Sequence, residues 1–148
     1  MQAVVEVPHR ATSGQQPRRG NDKGRLLWRL GDKSASASNV AEAAATLSRG
    51  GLLRSPRELT IAISALGRVR LWSEAVVLLA HSREQRVQRD TGLYNAALSA
   101  CAKGKQLAPA LRLLAELRSE GLVPDLISYN TAISACRGGQ HWQQALEL

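Results

Sequence analysis

The sequence predicts an all-α fold: a short right-handed α-solenoid of antiparallel helix-turn-helix repeats, preceded by a disordered N-terminal segment. Three observations predict it. The C-terminal region repeats itself at a fixed offset of 35 residues without a gap. Each repeat divides into two apolar-striped stretches separated by a Gly-rich or basic break. The composition, poor in aromatics with three Trp, two Tyr and no Phe, leaves a core of Leu, Ala, Ile and Val that suits close-packed helices better than sheets.

The period is read by aligning Ala75, Ala110 and Ala145. Ser64-Ala65, Ser99-Ala100 and Ser134-Ala135 then coincide, as do Leu79 with Leu114, Trp72 with Leu107 and Trp142, Asp90 with Asp125, and Tyr94-Asn95 with Tyr129-Asn130. One helix pair cannot bury its apolar stripe on both sides, so successive pairs must stack.

Taken in chain order, residues 1–37 read as a disordered basic segment, with Pro8, Pro17 and many Arg. Its composition also suits an organellar transit peptide, and a basic RNA-binding arm would read the same way. Residues 38–55 read as a capping helix or degenerate half-repeat: Asn39 to Ala45 is strongly helix-forming, Gly50-Gly51 stops it, and Gly51 falls where Gly121 falls on the 35-residue frame. Repeat 1 is residues 56–90 and repeat 2 is residues 91–125. In repeat 2, Leu93, Ala97, Leu98 and Cys101 share one helical face, Lys103-Gly104-Lys105 is the turn, and Ala110, Leu111, Leu114 and Leu117 mark the second helix. Gly121 ends that helix and Pro124 prevents its continuation. Residues 126–148 are a truncated repeat 3, ending inside a second helix as a fragment of a longer repeat protein would.

The formal charge of +8 is unevenly placed. Residues 1–55 carry nine Lys or Arg against four acids, while residues 56–90 carry six against four and residues 91–125 four against three. The repeats are only mildly basic, so charge alone is weak support for a nucleic-acid partner. Cys101 and Cys136 stand one period apart with no CxxC pair, and the histidines are scattered, so no metal site is expected. Leu66 fills the equivalent position in repeat 1, which points to small core residues. His141 reads as a solvent-facing turn residue, Trp72 and Trp142 as packing between helices, and Arg83, Arg86 and Arg89 with Glu84 as a solvated face. No apolar run is long enough to span a bilayer, and no catalytic constellation or phosphate loop is present. The expectation is a non-enzyme without cofactor, small-molecule substrate or membrane contact.

The stretch Gly121-Leu-Val-Pro-Asp-Leu-Ile-Ser-Tyr-Asn-Thr-Ala-Ile-Ser-Ala-Cys136 resembles the junction between repeats of the pentatricopeptide repeat (PPR) family, where a Gly-x-x-Pro-Asp end meets a Tyr-Asn start. The resemblance covers residues 56–148, roughly 60% of the chain, and period, junction and Tyr-Asn agree. It implies single-stranded RNA as partner, with one nucleotide per repeat read by a few side chains on the concave face. In that family the residue after the Tyr of a first helix reads the base together with the last residue of the repeat. Here those are Thr60 with Asp90, Asn95 with Asp125, and Asn130 without a partner in the chain. By the family's pattern Thr with Asp favours guanine and Asn with Asp favours uracil.

The base sandwich of the family falls on Arg57, Gly92 and Ile127; Ile127 suits it, Arg57 can stack its guanidinium, and Gly92 offers nothing. The basic position that meets the RNA backbone is filled by Arg68 and Lys103, with Gly138 and its neighbour Arg137 in the third repeat. These residues have structural uses as well. Asn95 and Asn130 suit local hydrogen bonding near a helix start, and Asp90 and Asp125 suit N-caps. The function implied is an RNA-binding adaptor in organellar RNA processing, stability or editing, in mitochondrion or chloroplast, with other RNA-processing proteins as partners. The alternative is a protein–protein interaction scaffold using the same groove.

Overall fold

Ser55, Asp90 and Asp125 recur every 35 residues, and in the computed structural model of the chain, which describes residues 22–138 and Gln143, they play one role. Each has extended backbone, and its side chain accepts a hydrogen bond from the N–H three residues on: Glu58 at 3.3 Å, Leu93 at 2.7 Å and Ser128 at 2.9 Å. Each thereby satisfies an otherwise orphaned donor and starts a helix. The helices so started are α3 (Pro56–Arg68), α5 (Thr91–Lys103) and α7 (Leu126–Ala135), the last running into a 3-10 turn over Cys136–Gly138. Between them stand α4 (Trp72–Glu84) and α6 (Leu107–Ser119), and before them α1 (Asp22–Gly31) and α2 (Ala37–Arg49). Among the described residues there is no strand.

Helix ends repeat as faithfully as helix starts. The N–H groups of Leu52, Leu71, Val87, Gln106 and Leu122 each reach back five residues, to the carbonyls of Leu47, Leu66, Ser82, Cys101 and Leu117, at 2.9 to 3.2 Å. This is the Schellman arrangement, which needs a left-handed residue just before the donor. Gly51, Arg70, Arg86, Lys105 and Gly121 fill that position, with φ between 56° and 79°. Two of the five are glycines; the other three carry a Cβ in a region that costs an L-residue about 1 kcal/mol.

Helices α1, α3, α5 and α7 pack side by side as one layer, and each second helix packs on its own first helix and on the first helix that follows. Leu59, Ala62, Ile63 and Leu66 of α3 meet Leu93, Ala97, Leu98 and Cys101 of α5, all essentially inaccessible, with Ala75, Leu79, Ala110, Leu114 and Leu117 closing the core from the second layer. The first helices approach closely because small residues face each other. A Cβ added to Gly67 would stand 3.0 Å from both Cα and Cβ of Ala100. Gly104 is needed for space rather than conformation: its φ is an ordinary −82°, but a Cβ there would lie 2.9 Å from Cγ of Trp72, which covers it. Trp72 thus packs between helices, as expected. Cys101 and Cys136 are free thiols in the core, and burial pushes the Cys101 thiol up to about 11.

Two stretches differ from the sequence reading. Residues 22–37 were expected within the disordered segment, yet Asp22–Gly31 is helical. The reason is an apolar edge among the basic residues: Leu30 is fully buried and Leu26 and Leu27 pack against the core. Lys23 pairs with Glu58 at 2.6 Å and so ties α1 to α3. Helix α2 is therefore not a half-repeat standing alone; it has a partner helix, and α2 lies 35 residues before α4 on the common frame. Residues 1–21 and the second helix expected for repeat 3, with His141, Trp142 and Ala145, lie outside the described residues.

Two substitutions test this account of the fold by urea unfolding. Arg86→Gly should raise stability by about 1 kcal/mol by relieving the left-handed strain; a lower midpoint would contradict it. Leu30→Ala should cost about 2–5 kcal/mol because it opens a cavity between α1 and its neighbours, whereas an unmoved midpoint would show that α1 is not part of the core.

Candidate nucleic-acid interface

The 35-residue frame brings residues 60, 95 and 130 to the same position, the second turn's start in α3, α5 and α7, so that the stacked first helices carry them along one layer. The N-cap of the following helix stands next to that position. The structure joins Asn95 and Asp125 directly: Asn95 Nδ2 donates to Asp125 Oδ1 at 3.1 Å, across the boundary between α5 and α7. The hydroxyl of Ser128 donates to Asn95 Oδ1 at 2.6 Å. The N–H of Ser128 on its carboxylate, with help from the Asn95 amide and the Ser128 hydroxyl, holds Asp125 below the usual carboxylate range, against a smaller opposing effect of burial. Asp125 is accordingly an acceptor at neutral pH.

Thr60 and Asp90 are not joined in this way. The Thr60 hydroxyl turns back to the carbonyl of Pro56 at 2.8 Å, and the Asp90 carboxylate caps Leu93; among the described residues no hydrogen bond connects the two. The difference follows from side-chain chemistry. A β-branched hydroxyl satisfies itself on the preceding turn, whereas the longer Asn amide reaches the next repeat. Asn130 is exposed on α7.

Asn130 also lines a cleft of about 570 Å³ between α5 and α7, together with Ser99, Lys103, Lys105, Ser134 and Arg137. Lys103, Lys105 and Arg137 are exposed, and among the described residues none of them meets a carboxylate. Three unneutralised cations beside hydroxyl and amide groups form a surface that favours phosphate oxygens. Lys105 and Arg137 belong to this cleft as much as Lys103 does. Arg137 stands where the sequence put it, beside the third repeat's basic position; Lys105 reads in the sequence only as a turn residue, and the signal for it is the equally basic Arg70 one period earlier.

The residues assigned to a base sandwich sit at the first turns of their helices. Arg57 is exposed, and Ile127 is 60% exposed beside Leu126 at 74%. Above Gly92 the space is nearly open, since an added Cβ would meet only Asp90 Oδ1, at 3.4 Å.

Arg68 requires a correction. Expected to face an RNA backbone, it instead donates from Nη2 to the carbonyls of Leu30 and Asp32, at 3.0 and 2.9 Å, and closes the C-terminal end of α1. Its Nε is buried without a hydrogen-bond partner. The carbonyls left over at a helix end attract a cation, and α1 was not anticipated. The reading of Arg83, Arg86 and Arg89 with Glu84 as a solvated face fits the exposed Arg83, Glu84 and Arg86 but not Arg89, whose side chain is only 11% exposed. Arg83 reaches Glu120 at 2.7 Å, Arg89 binds Glu116 and Glu120, and Tyr94 donates to Glu116 at 3.1 Å. These groups lock one repeat to the next. One period on, Tyr129 stands where Tyr94 does and takes Arg118, the equivalent of Arg83, with the guanidinium 5.6 Å from the ring centroid.

Residues 77–139 match the family model for the pentatricopeptide repeat domain. No curated protein matches the chain. Two solved structures are similar in fold: the pentatricopeptide repeat protein PPR10 in complex with an 18-nt psaJ RNA element, and a triple cysteine-to-serine variant of that protein with the same RNA. Each gives a TM-score of 0.58 at 23% identity, covering 86% of this chain and 22% of that one. The chain thus spans about 22% of the length of those proteins, and the likeness is one of fold. Period, caps and junction agree with the match of residues 77–139 to the pentatricopeptide repeat domain.

Proposed function

We propose that the chain binds single-stranded RNA along its layer of first helices, one nucleotide per repeat, as an adaptor in organellar RNA processing, stability or editing. The observation that carries the reading is the joined pair of Asn95 and Asp125, lying in register with Asn130 and beside the cleft of Lys103, Lys105 and Arg137. A short polar pair fixed at a helix start can meet a base edge, while the cations neutralise the adjoining phosphates. That the structures similar in fold are complexes of PPR10 with RNA supports the same partner. Asn95 with Asp125 reads uracil, and Thr60 with Asp90 reads guanine in the preceding position. Arg57 and Ile127 flank the bases. Placement in mitochondrion or chloroplast rests on the family and on the basic composition of residues 1–37.

A protein-scaffold reading draws on a different surface. An apolar groove of about 470 Å³ runs between α2 and α4, lined by Ala41, Ala44, Val77 and Leu78. It is separate from the polar first-helix face, so a protein partner there and RNA on the first helices do not compete.

Fluorescence-anisotropy titration of the full chain against RNA pools differing at two adjacent positions tests the proposal. Tightest binding to the G-U pool is expected, and Asn95→Thr should move the second preference from U to G. Equal binding to every pool would contradict base readout. Replacing Lys103, Lys105 and Arg137 together by Ala should flatten the dependence of log K on log salt by about 2, at about 0.7 per phosphate contact on a single strand; an unchanged slope would remove the cleft from the RNA path.

A further inference from the structure

The hydrogen bonds around Asn95 close a ring. The Asp125 backbone N–H donates to Ser128 Oγ at 3.1 Å, Ser128 Oγ donates to Asn95 Oδ1 at 2.6 Å, and Asn95 Nδ2 donates back to Asp125 Oδ1 at 3.1 Å. The carboxylate sets the direction of the amide. An ionised carboxylate only accepts, so it admits only the nitrogen of the amide. The amide oxygen then faces Ser128, whose one hydroxyl proton is shared between that oxygen, at 2.6 Å, and the more distant Asp125 Oδ1, at 3.0 Å. Ser128 is fully buried, so no water competes for the hydroxyl.

We propose that Ser128 is a specificity-determining positioning residue: its hydroxyl locks the side-chain amide of Asn95 in one orientation and so sets which pyrimidine the second repeat accepts. The inference rests on the RNA reading above. With the ring closed, Asn95 keeps one free N–H and one free lone pair, in a fixed order. Uracil offers an N3 donor beside a carbonyl acceptor, and cytosine offers an N3 acceptor beside an amino donor. Turning the amide over exchanges its donor and acceptor and would exchange the preferred pyrimidine. The carboxylate and the hydroxyl oppose that turn from two sides. In the preceding repeat the place of Ser128 is taken by Leu93, which has no hydroxyl, and Thr60 has no amide to orient. The lock is therefore particular to the second repeat among those described.

The test uses the full chain and adenosine nonamers carrying G-U or G-C at the centre. Ser128→Ala should reduce the preference for U over C about fivefold, the worth of one hydrogen bond, while Ser128→Thr, which keeps the hydroxyl, should restore it. A loss of affinity equal for both RNAs, or a preference undiminished in Ser128→Ala, overturns the inference. A wild-type chain with no preference between the two overturns the base-reading of Asn95 and this inference with it. NMR of the unbound wild-type chain keeps the question open to refutation even if a variant does not fold. The side-chain NH2 of Asn95 should be as rigid as the backbone in its heteronuclear NOE, unlike that of exposed Asn39; equal mobility of the two would overturn the lock.

Discussion

The structure depends on a hydrogen-bond acceptor placed once every 35 residues, where one repeat ends and the next first helix begins. A helix start leaves backbone N–H groups without partners, and here a side chain at the junction supplies one. Ser55, Asp90 and Asp125 each accept such a donor. Because these caps sit at a constant spacing, the first helices begin at the same height along the stack. That alignment places residues 60, 95 and 130 in a row. The cap thus serves the fold first, and the candidate readout of bases follows from it.

Side-by-side packing of the first helices then sets how tightly the row is spaced. Gly67 against Ala100 brings α3 and α5 almost to backbone contact, and the smallness of these residues leaves room for no Cβ between them. On the outer side the junction is held by charge: Arg83 and Arg89 of one repeat clasp Glu116 and Glu120 of the next, with Tyr94 donating into the same group. Arg89 and Glu120 are mostly buried there, so removing one partner would strand the other in a poorly solvated place. Apolar packing and an ion cluster therefore fix the same inter-repeat geometry from opposite sides.

Much of this was legible in the sequence, because period, turns and caps are local properties. The left-handed ends at Gly51 and Gly121 announce themselves as glycines, but those at Arg70, Arg86 and Lys105 do not, since an arginine or lysine in that conformation carries no sequence mark. Helix α1 was hidden by its own composition: the arginines and glycines of residues 22–31 suggest disorder, and only the fit of Leu30 into a core built by later residues makes the segment helical. The same holds for Arg68, whose partners lie 36 and 38 residues earlier on α1 and the turn after it. At the candidate site the identities of Asn95 and Asp125 were readable from the junction. The hydroxyl of Ser128 was not, because it reaches Asn95 only after two first helices have packed.

The central claim is that one carboxylate, Asp125, both starts α7 and shares in reading a base. Asp125→Ser separates the two roles, since serine at the equivalent position 55 already caps a helix of this chain and the change removes the carboxylate that Asn95 meets. The decisive measurement is the binding preference of that variant across RNAs differing at the second position, taken with its thermal midpoint. The account predicts a midpoint close to that of the wild type and a lost or altered preference for uracil. A lowered midpoint with the preference intact would show that Asp125 is a cap and nothing more.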